Sequence, residues 1–310
     1  MAIDRDAEAS PARPKTAPPV RAMADPSWAE RVRLGHRLGR ALLYLTVAAG
    51  ALIYSLPFLW MLSTAFKTDA EVFAYPPVWI PTKLTLEGFT DPWDNLPFLD
   101  YYRNTAVITG LNIVGNLASC SLVAFAFARM RFRGRNVLFL IVLSTMMLPG
   151  QVTLIPLYRL WSELNLTNTI APLTIPGFLA GGYSGAFSVF LLRQYMMTIP
   201  FDLDDAAKLD GASWFRIYWN IVLPLSGPAL GAAAIFLFTG KWSDFLDPLI
   251  YLSDPDKFTV PLGLAQLNSR YGLEYQQTMA QTLISLVPVL LVFFVVQRRY
   301  VQGIVVSGIK

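Results

Sequence analysis

The sequence predicts an all-α, polytopic membrane protein with six transmembrane helices, and three observations predict it. Apolar residues come in blocks: six stretches contain no Asp, Glu, Lys, Arg or His, namely Ala41 to Phe66, Asn104 to Ala128, Asn136 to Tyr158, Ile170 to Leu192, Ile221 to Gly240 and Thr278 to Val296. Each block is long enough to cross a bilayer, which takes about 20 apolar residues at about 1.5 Å of rise each. Helices of a soluble core run about 10–14 residues and keep a polar face, which these blocks lack.

The third observation is the placing of basic residues, which are retained on the cytoplasmic side of a membrane. Lys and Arg number 8 before the first block, 4 between the second and third, 3 between the fourth and fifth and 3 after the sixth, 18 in all, against 3, 1 and 3 in the alternate loops. Both termini are therefore expected in the cytoplasm. The net charge of +4 needs no nucleic acid, because the excess lies beside span ends where anionic lipid headgroups attract it.

In chain order, residues 1–40 are expected to form a cytoplasmic, largely disordered tail: Pro11, Pro14, Pro18, Pro19 and Pro26 stand among Ala, Ser and charged residues that bury little surface. His36, the sole histidine, sits among Arg33, Arg37 and Arg40 and reads as a juxtamembrane residue, not a ligand. The first block begins only at Ala41 and runs 26 residues, so it is read as a retained span and not a secretory signal. The loop from Lys67 to Arg103, rich in Pro and aromatics, reads as an ordered outward loop, with Trp60 and Tyr102 as interfacial anchors. Cys120 is alone in the second span, so no internal disulfide forms. Pro149, Pro156, Pro176, Pro228 and Pro288 each remove a backbone donor inside a span and are expected to bend or interrupt it. The cluster Gly177, Gly181, Gly182 and Gly185 would let neighbouring helices approach closely. Residues 41–296 thus form the membrane domain, followed by a cytoplasmic tail over 297–310.

The inward loop 193–224 reads as two short helices. Asp202 can cap the first, Asp204 and Asp205 lie in its first turn where negative charge is favoured, and Gly211 supplies a left-handed stop. A second helix from Ser213 places Trp214, Ile217, Tyr218 and Ile221 at spacings of three and four, an apolar face that needs a partner.

The same loop carries Asp205, Ala206, Ala207 and, four residues on, Gly211, then nine residues to Ile221, Leu223 and Pro224. This resembles the pattern E-A-A-x-x-x-G with a following I-x-L-P that marks permeases of ATP-binding-cassette (ABC) importers, departing only in Asp for Glu at the first position. Residues 63–67 (STAFK), 147–157 (MLPGQVTLIPL), 190–194 (FLLRQ), 205–212 (DAAKLDGA) and 303–310 (GIVVSGIK) extend the likeness to the smaller permease of maltose and glycerol-phosphate type importers. The resemblance implies a type I ABC importer permease fold in a bacterial inner membrane. It also implies half of a translocation pathway for a carbohydrate: a sugar, oligosaccharide, polyol or glycerol phosphate. By the same resemblance Asp205, Ala206, Ala207, Asp210, Gly211, Ile221, Leu223 and Pro224 form a coupling loop seated on a cytoplasmic ATPase. The implied partners are a second permease, two ATPase subunits that bind ATP and Mg, an extracytoplasmic solute-binding protein and membrane lipid. The tail through Gly303 and Gly308 resembles an extension that approaches the ATPase interface.

The sequence has no G-x-x-x-x-G-K-[ST] phosphate loop and no metal-ligand cluster, so the chain is expected to carry no cofactor and to hydrolyse no ATP. An ion-coupled secondary transporter, or another six-span membrane protein, is the alternative reading; proton-coupled systems, however, place ionisable groups within their spans, and these spans have none. The uncharged polar residues inside spans, Asn112, Asn116, Gln151, Tyr183 and Gln281, are candidates to line a pathway for a neutral, hydroxyl-rich solute. Helix-to-helix hydrogen bonding is the competing use of each.

Overall fold

A computed structural model describes residues 26–270 and 274–307, with side-chain surroundings for 39–268 and 274–295. Every regular element among them is helical. The chain divides into two units at Phe58 and Leu59. In the first, residues 26–58 of helix α1 (Pro26–Ala65) form one unbroken helix, and its large apolar side chains from Leu42 to Phe58 lie exposed, as hydrocarbon-facing residues do. Residues 26–40 are therefore helical where a disordered tail was expected; the rest of that tail, 1–25, lies outside the described residues.

The second unit is built around α4 (Phe98–Arg129), 32 residues long and so about 48 Å. Between α1 and α4 stand two short helices, α2 (Asp69–Val72) and α3 (Glu87–Asn95). After α4 come α5 (Arg135–Thr145) and α6 (Gly150–Glu163), then α7 (Ala171–Phe178) and α8 (Gly182–Met196). The loop 193–224 holds α9 (Asp202–Leu209), α10 (Trp214–Ile217), a π-helical turn at Tyr218–Val222 and α11 (Leu223–Leu225). The last elements are α12 (Gly227–Trp242), α13 (Leu246–Tyr251), α14 (Val260–Arg270) and α15 (Tyr275–Ser307).

Four helical segments are long and apolar enough to cross a membrane, and two bent pairs bring the number to six. The third expected span is broken by 94° between α5 and α6, with Pro149 as the residue preceding α6, and the fifth by 74° at Ser226, with Pro228 in the first turn of α12. Pro176 ends α7 two residues on, at Phe178. Pro156 and Pro288 do not interrupt their helices: α6 and α15 run through them. Neighbouring helices and polar side chains can satisfy the one carbonyl a membrane proline frees. α15 also continues to Ser307 where a tail was expected, and 308–310 lie outside the described residues.

α4 packs along α7, α8 and α12. Its Cys120, Ala124, Phe125 and Ala128 meet Val189, Leu192 and Met196 of α8 and Ile217, Tyr218 and Val222 of the loop 193–224 in one buried cluster. At the short break between α7 and α8 the backbone is packed so closely that a β-carbon on Gly185 would lie 2.1 Å from the Ala180 carbonyl oxygen, so only glycine fits.

The loop 67–103 is ordered. Trp60 meets Trp79 edge-on at 5.0 Å and carries the Lys67 ammonium 3.9 Å over its ring, while Tyr102 stacks on Trp93 at 5.8 Å. These two aromatics thus pack against the rings and the ammonium of the loop itself. Burial pulls the Lys67 ammonium below the usual lysine range, and Glu71 opposes the shift. The loop 159–169 is clasped to 241–277 through Asn168, left-handed at φ 56°, whose Oδ1 accepts from the Ser253 and Asp254 amides at 3.2 and 3.1 Å.

Candidate functional site: the α9–α11 loop

α9 begins after Phe201, whose carbonyl accepts the Asp204 and Asp205 amides at 2.9 and 3.1 Å. Asp202 is the first helical residue and makes no capping bond, contrary to expectation. Asp202, Asp204 and Asp205 all occupy the first turn, where the helix dipole favours negative charge. The helix closes in a double bond, Gly211 amide to Lys208 carbonyl and Ala212 amide to Ala207 carbonyl, both 2.9 Å, with Gly211 at φ 79°. That closure requires a left-handed residue, which is why glycine stands there.

Ser213 then caps α10, its Oγ accepting the Arg216 amide at 3.3 Å. Of the expected apolar face, Ile217 and Tyr218 are buried, Ile221 is half-buried and Trp214 is exposed. The π-helical turn adds a residue per turn, so the buried row passes to Val222 instead of Ile221. Tyr218 is fixed by its hydroxyl, 2.8 Å from Ser121 Oγ, and by the Phe125 ring at 5.3 Å.

Adjacent residues on a helix point about 100° apart, and this separates two neighbouring carboxylates. Asp205 faces out, 72% exposed and 3.4 Å from Lys208. Asp204 faces in, 2% exposed, its Oδ2 accepting from Arg129 Nη1 at 3.2 Å. Burial pushes the Asp204 carboxyl above its ordinary value, while the charges of Arg129 and Lys208 oppose the shift. Arg129 also donates from Nη2 to the Ile199 carbonyl at 2.8 Å and lies 4.4 Å over the Phe201 ring. Sequence reasoning counted Arg129 as one of four loop arginines and Asp204 as a helix-start acid. The available signal was that Arg129 directly follows an uncharged stretch of 25 residues, Asn104 to Ala128.

The outward side of the loop combines Ala206, Asp210, Gly211 and Pro224, all exposed, with Leu209 at 90%, Phe215 at 66% and Trp219 at 59% exposure. Ala207 and Leu223 are half-buried against the core. The folded loop thus shows charge and large apolar side chains together, on ion-paired and capped helices.

The five polar residues inside spans do not converge. Asn112 donates to the Ile108 and Leu173 carbonyls at 3.0 and 2.6 Å, joining α4 to α7. Asn116 is buried one turn further on. Gln281 is buried on α15 and donates to the Gly88 and Phe89 carbonyls at 3.2 and 3.3 Å. Gln151 on α6 and Tyr183 on α8 are exposed, the latter stacked on Phe187 at 6.4 Å.

Among the described residues up to six segments are long and apolar enough to cross a membrane, as a membrane transport subunit requires. Residues 120–306, more than half of the chain, match the family described as binding-protein-dependent transport system inner membrane component. The chain belongs to this family and is an ABC transporter permease, not the subunit that hydrolyses ATP. It is 35% identical to a putative ABC transporter permease protein, ORF2, of Caldicellulosiruptor sp. (strain Rt8B.4), over 86% of this chain and 96% of that one. It is 34% identical to the arabinooligosaccharides transport system permease protein AraQ of Halalkalibacterium halodurans, over 84% and 92%. A chain in the crystal structure of a bacterial ABC transporter involved in alginate import shares the fold, with a TM-score of 0.73, 24% identity and coverage of 85% of this chain and 97% of that one.

Proposed function

We propose that this permease forms half of a carbohydrate translocation pathway in a bacterial inner membrane and docks the α9–Gly211 loop on a cytoplasmic ATPase. The observation that carries the reading is the outward face of that loop, where Asp205 stands beside exposed Leu209, Phe215 and Trp219 on helices already capped and anchored from behind. Ile221, Leu223 and Pro224 set the base of the loop, and Asp210 and Gly211 its turn. The similarity to a permease named for arabinooligosaccharides supports a carbohydrate solute. The partners are then a second permease, two ATPases that hold ATP and Mg, a solute-binding protein and lipid. On the basic-residue count both termini are cytoplasmic, with the tails over 1–40 and 297–310 flanking the membrane domain. Of the pathway candidates, Gln151 and Tyr183 are free to face solute or a second permease, whereas Asn112 and Gln281 tie helices together and Asn116 is buried with its Oδ1 unpartnered.

Co-purification with the ATPase tests the docking: Leu209→Asp should insert normally and lose the ATPase, and an intact complex would overturn the reading. With Cys120 replaced, a cysteine at Ala70 should react with an impermeant label on intact cells and one at Asp210 should not; the reverse pattern would invert the topology.

A further inference from the structure

We infer that the buried Arg129–Asp204 pair joins α9 to the end of α4 as one moving body, so that these two positioning residues set how much solute moves per ATP. The inference rests on the reading that α9 docks on the ATPase, and it goes beyond it by naming the link behind the docking face. α9 lies closely along no other helix among the described residues. What ties it inward is side-chain contact. Ala207 touches the core and Lys208 lies 4.2 Å over Trp214, which meets Phe125 of α4 edge-on at 6.2 Å. Against these modest contacts, Arg129 grips the entry to α9 at three points: the Ile199 carbonyl at 2.8 Å, the Phe201 ring at 4.4 Å and the Asp204 carboxylate at 3.2 Å.

Arg129 is the last residue of α4, and both side chains of the pair are shielded, at 0% and 2% exposure. An ion pair away from water is little screened by salt and, being hydrogen-bonded, is directional. It therefore resists both separation and sliding, where the apolar contacts of Ala207, being non-directional, resist sliding little. A displacement of α9 by its partner is carried to Arg129 and along α4. α4 in turn packs on α7, α8 and α12, and at its far end Asn104 and Thr105 bond residues 256–260. The neighbouring Asp205 does none of this, since its carboxylate points outward.

The test compares the reconstituted full transporter with and without the pair. Arg129→Ala with Asp204→Ala removes both charges and leaves no unpaired ion, so insertion and ATPase retention should persist. Solute moved per ATP hydrolysed should fall at least tenfold, and Arg129→Lys, which keeps the charge without the planar fork of donors, should recover part of the ratio. A double variant that keeps the wild-type ratio overturns the inference. So does one that fails to insert or to hold the ATPase, because the pair would then serve only the fold. Leu209→Asp is the control for the underlying reading: if that variant keeps its ATPase, the docking reading fails whatever the pair does.

Discussion

At its N-terminal end α4 is tied to residues 256–260 by neutral bonds: Asn104 Nδ2 to the Asp256 and Phe258 carbonyls at 2.9 and 3.1 Å, and, buried, the Val260 amide to Thr105 Oγ1 at 2.9 Å. The same end is backed by the Asn168 clasp and by stacked rings. At its C-terminal end one guanidinium meets one carboxylate out of water. Neutral bonds contribute about 0.5–1.5 kcal/mol each and can be lost singly. A buried pair behaves differently, because losing one partner strands the other charge. One end is therefore held by many small contributions that survive damage, whereas at the other the tie to α9, beside the apolar cluster, runs mainly through one buried pair that is lost all at once.

The sharpest break in that comparison is Asp204→Ala, which leaves Arg129 buried and unpaired and should cost about 3–5 kcal/mol. Thermal unfolding in detergent should show the single variant less stable than the Arg129→Ala, Asp204→Ala double variant; equal losses would mean the charge is not stranded. Gly211→Val comes next, since a β-branched residue at φ 79° costs about 1–3 kcal/mol. Uptake should cease while the chain still inserts, and normal uptake would show that the left-handed turn is dispensable. At the opposite end Asn168→Ala removes the acceptor of two amides and should cost about 1–2 kcal/mol by the same unfolding measurement, with uptake retained. A larger loss would mean that this end too depends on one residue. The smallest effect on the fold is Asp205→Lys, about 0.3–1 kcal/mol from the opposed helix dipole. Its effect belongs to the partner: ATPase retention should weaken, Asp205→Glu should keep it, and full retention in the lysine variant would remove Asp205 from the docking contact.

The spans were legible because a charge-free block of about 20 residues has few uses outside a bilayer. The turn at Gly211 was legible because positive φ narrows the choice of residue. The Arg129–Asp204 pair was not, since 75 positions separate its members and nothing local marks which of two adjacent aspartates turns inward. The apolar face of the second helix was misplaced by one residue at its end, Val222 for Ile221, because a π-helical turn breaks the 3.6-residue period from which the face was read. Asn112 and Gln281 could not be divided between pathway and packing by sequence, because an amide that lines a channel and one that ties two helices are chemically alike.

The 94° break in the third span bears on how the chain crosses the bilayer. α5, of 11 residues, reaches about 16 Å and α6, of 14, about 21 Å, each short of the roughly 30 Å hydrocarbon core. Neither half is a membrane-spanning signal alone. Only the block from Asn136 to Tyr158 taken whole is long enough to cross that core. At the bend the turn is sealed within itself: the Met146, Met147 and Leu148 amides donate to the Leu143, Ser144 and Thr145 carbonyls, and the Ser144 and Thr145 hydroxyls donate to the Ile141 and Val142 carbonyls. The bend thus keeps its own backbone groups paired in a place where lipid would offer them no partner.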